Sequence, residues 1–230
     1  MKSKIIVTLL SVVLLIPAAE AQDCKLFFPD NIGTLREMTN YDKKDRVTGR
    51  VHQTISNKNV SGGNISMDVV TVIYDDKDEE LNRSKVKVGC ENGVFKIDMS
   101  DYLGEMLEAY QEMDVEMKGD NLQFPPDISV GDQLPEGTIN IKVSNSGITM
   151  VNMDVTIKNR KVERKEKITT PAGSFDCFKI SYDTEAKTNF LTVNTSGVEW
   201  IAEGVGVIKI ENYNKKGKLS SYSLLTNFEN

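Results

Sequence analysis

From Thr34 to the C-terminus, apolar and polar residues alternate with a period of two, broken roughly every ten positions by turn-forming residues. Such spacing predicts an antiparallel meander, because alternate side chains of a strand point to opposite faces of a sheet. Three segments repeat one theme: Tyr41-Asp42-Lys43-Lys44-Asp45, Tyr74-Asp75-Asp76-Lys77-Asp78 and Tyr213-Asn214-Lys215-Lys216-Gly217. Each sets an aromatic at a strand end and follows it with residues that bond their own backbone or tolerate a left-handed conformation, so each predicts a hairpin tip. Glu91-Asn92-Gly93 predicts another, between Val86–Cys90 and Val94–Ile97. In the second half, strands are expected at Ile139–Val143, Met150–Ile157, Lys161–Thr169 and Phe175–Tyr182. Further strands are expected at Phe190–Thr195, Glu199–Ala202, Val205–Tyr213 and Leu219–Phe228.

One segment departs from the alternation. Leu103, Met106, Leu107, Tyr110 and Met113 fall at helical spacing with acids between them, predicting a helix over Asp101–Met113 capped by Ser100. The following Phe124-Pro125-Pro126-Asp127 must be irregular, since two prolines remove ladder donors. A single helix is too few for a βαβ architecture. The expected fold is mainly β, a curved antiparallel sheet or half-barrel of about ten or more strands, with the one helix packed on the concave face.

The first residues change the compartment. Lys2 and Lys4 precede an apolar run from Ile5 to Ile16, then Pro17 and Ala19-Glu20-Ala21, the pattern of a cleavable signal peptide over residues 1–21. The expected mature chain starts at Gln22, is a single domain over 22–230, and works in the periplasm or outside the cell. The apolar run is too short to span a bilayer, and no later stretch qualifies. Gln22 and Asp23 separate the small residues from Cys24, which argues against acylation there. Without Lys2, Lys4 and Glu20, 26 basic face 33 acidic side chains of interspersed sign, which argues for solubility and against nucleic acid or anionic lipid. Cys24, Cys90 and Cys177 allow three pairings in an oxidising compartment, or three buried thiols. Cys24 with Cys90 is preferred: Cys90 follows Val86 and Val88 on the apolar side of its segment, and a bridge at Cys24 would tie down a terminus that otherwise frays.

No constellation for catalysis emerges, so the chain is expected not to be an enzyme and to need no cofactor. His52 is the sole histidine and no G-x-S-x-G elbow accompanies it. Three scattered cysteines lack zinc spacing. The stretch starting at Asp76 imitates a calcium loop but has Leu81 and Lys87 where Gly and Glu are needed. Acids are plentiful, yet nothing singles out a pair for glycoside hydrolysis. Gly204-Val205-Gly206 leads into strand residues rather than a helix, and so reads as a bend or bulge. Arg160, Lys161, Arg164, Lys165 and Lys167 read as a solvated strand face that could also meet an acidic partner. Met99, Met106, Met113, Met117, Met150 and Met153 supply flexible thioethers, which suit ordinary packing or a surface that fits varied apolar ligands.

Thr170-Pro171-Ala172-Gly173-Ser174-Phe175-Asp176-Cys177-Phe178-Lys179, with Glu199-Trp200, Gly204-Val205-Gly206, Tyr213 to Lys218 and the N-terminal Cys24-Lys25-Leu26-Phe27-Phe28-Pro29, resembles an uncharacterised TapB-like family of secreted bacterial proteins. More remotely, the arrangement is similar to the half-barrel of LolA- and LolB-type periplasmic lipoprotein carriers. That resemblance implies an apolar cavity that holds acyl chains. The expected function is a non-enzymatic domain binding a lipid or acylated protein between sheet and helix, with Leu103, Met106, Leu107, Tyr110 and Met113 as the wall. The alternative is a structural or adaptor domain of an envelope assembly.

Overall fold

The computed structural model describes residues 24–99 and 113–230. The first strands are β1 (Leu35–Asp42), β2 (Val47–Ser61), β3 (Asn64–Tyr74), β4 (Glu80–Glu91), β5 (Val94–Asp98), β6 (Asp114–Gly119) and β7 (Asn121–Phe124). Then come β8 (Gly137–Asn145), β9 (Ile148–Thr170), β10 (Gly173–Thr188), β11 (Thr192–Ala202), β12 (Gly206–Tyr213) and β13 (Leu219–Glu229). All thirteen join one sheet in the order β6-β8-β9-β10-β11-β12-β13-β1-β2-β3-β4-β5-β7, and every neighbouring pair is antiparallel.

The two outermost strands of that order, β6 and β7, are consecutive in the chain with Asp120 alone between them. One extended stretch therefore pairs first with β8 and then with β5, and the sheet is a nearly closed barrel rather than the half-barrel expected. Closure removes the exposed hydrogen-bonding edges that a wide sheet would otherwise present. At the switch, the Asp120 N–H still donates to the Thr138 carbonyl at 2.9 Å. Gly119 is required there, because a Cβ would fall 2.3 Å from the Thr138 carbonyl oxygen.

The described residues contain no α-helix. The helix expected over Asp101–Met113 falls on residues that lie outside the described ones except for Met113, which sits in a bend before β6 and packs against the core. Within the described residues the apolar filling comes instead from inward side chains such as Met67, Val69, Phe95, Ile141 and Ile180, and from Leu26, Phe27 and Phe28 of the N-terminal segment. That segment crosses onto the sheet because three large apolar side chains in a row gain most by leaving water, each by about 1.5–3 kcal/mol.

The three repeated segments all form hairpin tips at one end of the barrel, with one geometry. The Oδ1 of Asp42 accepts from the N–H of Lys44 and Arg46, that of Asp75 from Lys77 and Glu79, and that of Asn214 from Lys216 and Lys218. Asp45, Asp78 and Gly217 take the same place with φ of 62°, 63° and 68°. At Asp42 the Arg46 guanidinium and backbone N–H hold the carboxyl down at about 2. The Asp75 Oδ1 thus closes its own turn, and Asp78 pairs with Arg50, so the stretch that imitates a calcium loop is a hairpin tip.

Candidate functional site: the barrel interior and its N-terminal plug

Position in the sheet decides which side chains face inward, and two bulges in β9 alter the expected assignment. Asn159 adopts φ of 54°, and the β9–β10 register shifts between Lys179 and Ile180 and again between Ser181 and Asp183. An extra residue on one strand reverses the facing of the residues beyond it. Arg160, expected on a solvated face with Lys161 and Arg164, is consequently inside and 1% exposed. Its Nη1 donates to the carbonyls of Gln123 in β7 (3.0 Å) and Pro135 before β8 (2.8 Å). Its guanidinium lies 4.7 Å from the Phe124 ring centroid and 3.9 Å from the equally buried Glu199 carboxylate. Arg160 thus binds β9 to the strand that closes the barrel.

The N-terminal segment is seated by three devices. A disulfide joins Cys24 to Cys90 on β4, with 6.2 Å between their Cα atoms. The Leu26 carbonyl accepts from the Gly204 N–H at 2.8 Å. The Phe27 ring meets those of Phe124 (5.4 Å), Phe95 (6.2 Å) and Phe178 (6.2 Å). Beneath it, Arg36 lies 5.0 Å from the Phe28 centroid and donates to Gln53 Oε1 and the Val207 carbonyl, each at 2.6 Å. The G-x-G read as a bend is the β11–β12 turn that receives this plug. Gly206 has φ of 100°, and a Cβ there would sit 3.2 Å from the Phe27 carbonyl oxygen and from Arg36 Cζ. Gly206→Ala is therefore expected to lower the unfolding free energy by about 2 kcal/mol, because the positive φ strains an L side chain and the added Cβ crowds the Phe27 carbonyl and the Arg36 guanidinium. A urea titration showing a loss well under 1 kcal/mol would disprove that fit.

The remaining candidates settle into other roles. His52 Nε2 is 2.7 Å from Glu37 Oε2, and its ring lies 4.8 Å from that of Tyr74. Burial raises the Glu37 carboxyl, but hydrogen bonds from Thr226 and His52 with the charges of His52 and Arg50 bring it below its ordinary value. Cys177 is buried and unpaired, its thiol pushed up to about 11 by burial and then by Asp176. Among the described residues, no three His, Cys, Asp or Glu side chains gather as metal ligands. An open cleft of about 300 Å³ lies beside the disulfide, lined by polar groups including Asn59, Asn64, Lys87, Glu91 and Lys96, with Cys90 on its wall. Leu103, Met106, Leu107 and Tyr110 lie outside the described residues, whereas Met113 packs on the interior cluster. The interior aromatic group of Phe27, Phe95, Phe124 and Phe178 escaped sequence reading. The apolar Leu26-Phe27-Phe28 run following Cys24 was its one visible signal.

A DUF3108-like family model matches residues 31–225. The structure is similar to a candidate exported protein with a YmcC-like fold from Bacteroides fragilis, at 24% identity and a TM-score of 0.81, over 90% of this chain and 100% of that one. It is also similar to a candidate lipoprotein from Parabacteroides distasonis, at 25% identity and a TM-score of 0.81 over the same shares. No functionally curated protein matches. No helix among the described residues is long and apolar enough to cross a membrane.

Proposed function

The chain belongs to the DUF3108-like family, and on that premise we propose that it is an exported, non-enzymatic binding domain that takes an apolar ligand, a lipid or the acyl group of a protein, into its barrel. The observation that carries this reading is the plug. Leu26, Phe27 and Phe28 lie on the interior cluster as a foreign apolar segment would, held by one disulfide and few backbone contacts. Space filled by a short segment can be filled by a ligand of like chemistry if the segment shifts, because apolar burial is non-directional. Met113 supports the wall proposed from Leu103, Met106, Leu107 and Tyr110, since it packs on that cluster. The resemblance to LolA- and LolB-type carriers, in which a curved sheet and packed helices enclose an apolar cavity, points the same way.

The names of the Bacteroides and Parabacteroides relatives support export. In this reading residues 1–21 are removed and residues 22–230 act as one domain in the periplasm or outside the cell.

Native mass spectrometry of the mature protein from its own envelope, followed by denaturing lipid extraction, tests the proposal. The expected result is a stoichiometric adduct recovered as lipid or fatty acid. A bare apo mass from freshly isolated protein overturns it and leaves the reading as an adaptor of an envelope assembly.

A further inference from the structure

At the end of the barrel that carries the repeated tips, the β8–β9 hairpin reaches past β10 and the β10–β11 hairpin reaches past β12. Thr188 pairs with Met153 at the last β9–β10 rung, and Ser196 with Tyr213 at the last β11–β12 rung, so Ile148–Asn152 and Thr192–Thr195 project beyond them. These projections carry apolar side chains in water: Phe190 is 97% exposed, Leu191 61%, Ile148 67% and Met150 61%. The Phe190 turn is nevertheless closed by hydrogen bonds. Thr188 Oγ1 accepts from the N–H of Phe190 (3.3 Å) and Leu191 (3.0 Å), and the Thr188 N–H donates to the Leu191 carbonyl at 2.8 Å. The backbone is held while the ring points outward.

Charge is graded along the same rim. Next to the apolar hairpins stands the β12–β13 tip with exposed Lys215, Lys216 and Lys218, then the β1–β2 tip with exposed Lys43 and Lys44. The acidic tip, Asp75 to Glu80, lies one hairpin further away. The chain as a whole is acidic, with a formal charge of −6. Screening over roughly 10 Å leaves the nearest tips to set the potential at a surface they touch.

We propose that this end of the barrel docks onto an anionic phospholipid bilayer, with Phe190, Leu191 and Met150 entering the acyl boundary and Lys215, Lys216 and Lys218 meeting headgroup phosphates. A bilayer fits better than a protein because the apolar side chains sit on two separate convex tips. Fluid lipid closes around each tip, whereas a protein interface needs a contiguous core patch. The inference goes beyond the cargo reading and does not depend on it.

The test uses mature, delipidated protein sedimented with vesicles of phosphatidylcholine alone or mixed with phosphatidylglycerol. Binding to the mixed vesicles is expected, weakening as salt is raised. Phe190→Ser combined with Leu191→Ser is expected to lower the partition coefficient about tenfold or more. Lys215→Glu combined with Lys216→Glu should lower it about tenfold on mixed vesicles and leave phosphatidylcholine partition unchanged. All four positions are exposed, and equal denaturation midpoints verify that the variants fold. Wild-type protein that stays in the supernatant with both vesicle types overturns the proposal, as does a Phe190 and Leu191 variant that binds like wild type. Vesicle binding by a protein isolated without lipid would retain this inference while sinking the cargo reading.

Discussion

Arg160→Ala is expected to lower the unfolding free energy by about 3–5 kcal/mol, among the largest single-residue effects in the described structure. The side chain is fully buried, and four groups depend on it. Glu199, also 1% exposed, would lose the cation 3.9 Å away. The Gln123 and Pro135 carbonyls would lose a charged donor, and each buried acceptor left unpaired costs about 1–3 kcal/mol. The Phe124 ring would face the space vacated by the guanidinium. Since those carbonyls belong to the strand that closes the barrel and to the loop before β8, the damage should concentrate at closure. Hydrogen exchange would then quicken first in β7 and β8. Urea unfolding and amide exchange check both parts, and a loss below about 1 kcal/mol would mean that Arg160 does not hold the seam. Arg160→Met with Glu199→Gln should recover part of the loss, because a buried ion pair costs nearly as much to desolvate as it returns.

Removing the disulfide by Cys24→Ser and Cys90→Ser is expected to cost about 4 kcal/mol, the chain-entropy value for a bridge that closes a loop of this length. The two cysteines are 66 residues apart in sequence. The effect on the plug should be more diagnostic than the stability itself. Without the bridge, Leu26 to Phe28 keep their aromatic contacts and the Gly204 hydrogen bond, but the chain ahead of them is free to fray. Tryptic cleavage at the exposed Lys25 should therefore accelerate well before global unfolding. If cleavage at Lys25 and the urea midpoint both match wild type, the plug is held by packing alone. Cys177 does not confuse the measurement, since its thiol is buried and pushed up to about 11.

The features legible in the amino-acid order are local ones. Alternation marked the strands, and the Tyr-Asx tips, with Asn92-Gly93, marked four hairpins, because an Asx oxygen and a residue at positive φ make a tight turn whatever surrounds it. Misreadings fall where a neighbouring strand supplies the cause. Met150–Ile157 and Lys161–Thr169 read as two strands, but they are one 23-residue strand with bulges in between. The bulge at Asn159 shifts the inward phase from Val155 and Ile157 to Arg160 and Val162, so a count carried on from Ile157 puts Arg160 on the wrong face, whereas one started from Val162 does not. Phe190 reads as strand but occupies the β10–β11 turn, because Thr188 is the last residue of β10 and binds the turn's amides.

Long-range contacts account for the rest. The closure of the sheet turns on one chain segment exchanging β8 for β5 at Gly119, where the space beside Thr138 excludes a side chain. The cysteine pairing depends on which strand the N-terminal segment reaches, not on spacing. The aromatic plug is assembled from Phe27, Phe95, Phe124 and Phe178, whose separation in sequence hides their contact. Local hydrogen bonding is encoded in adjacent residues, while the identity of an interior depends on which distant surfaces meet.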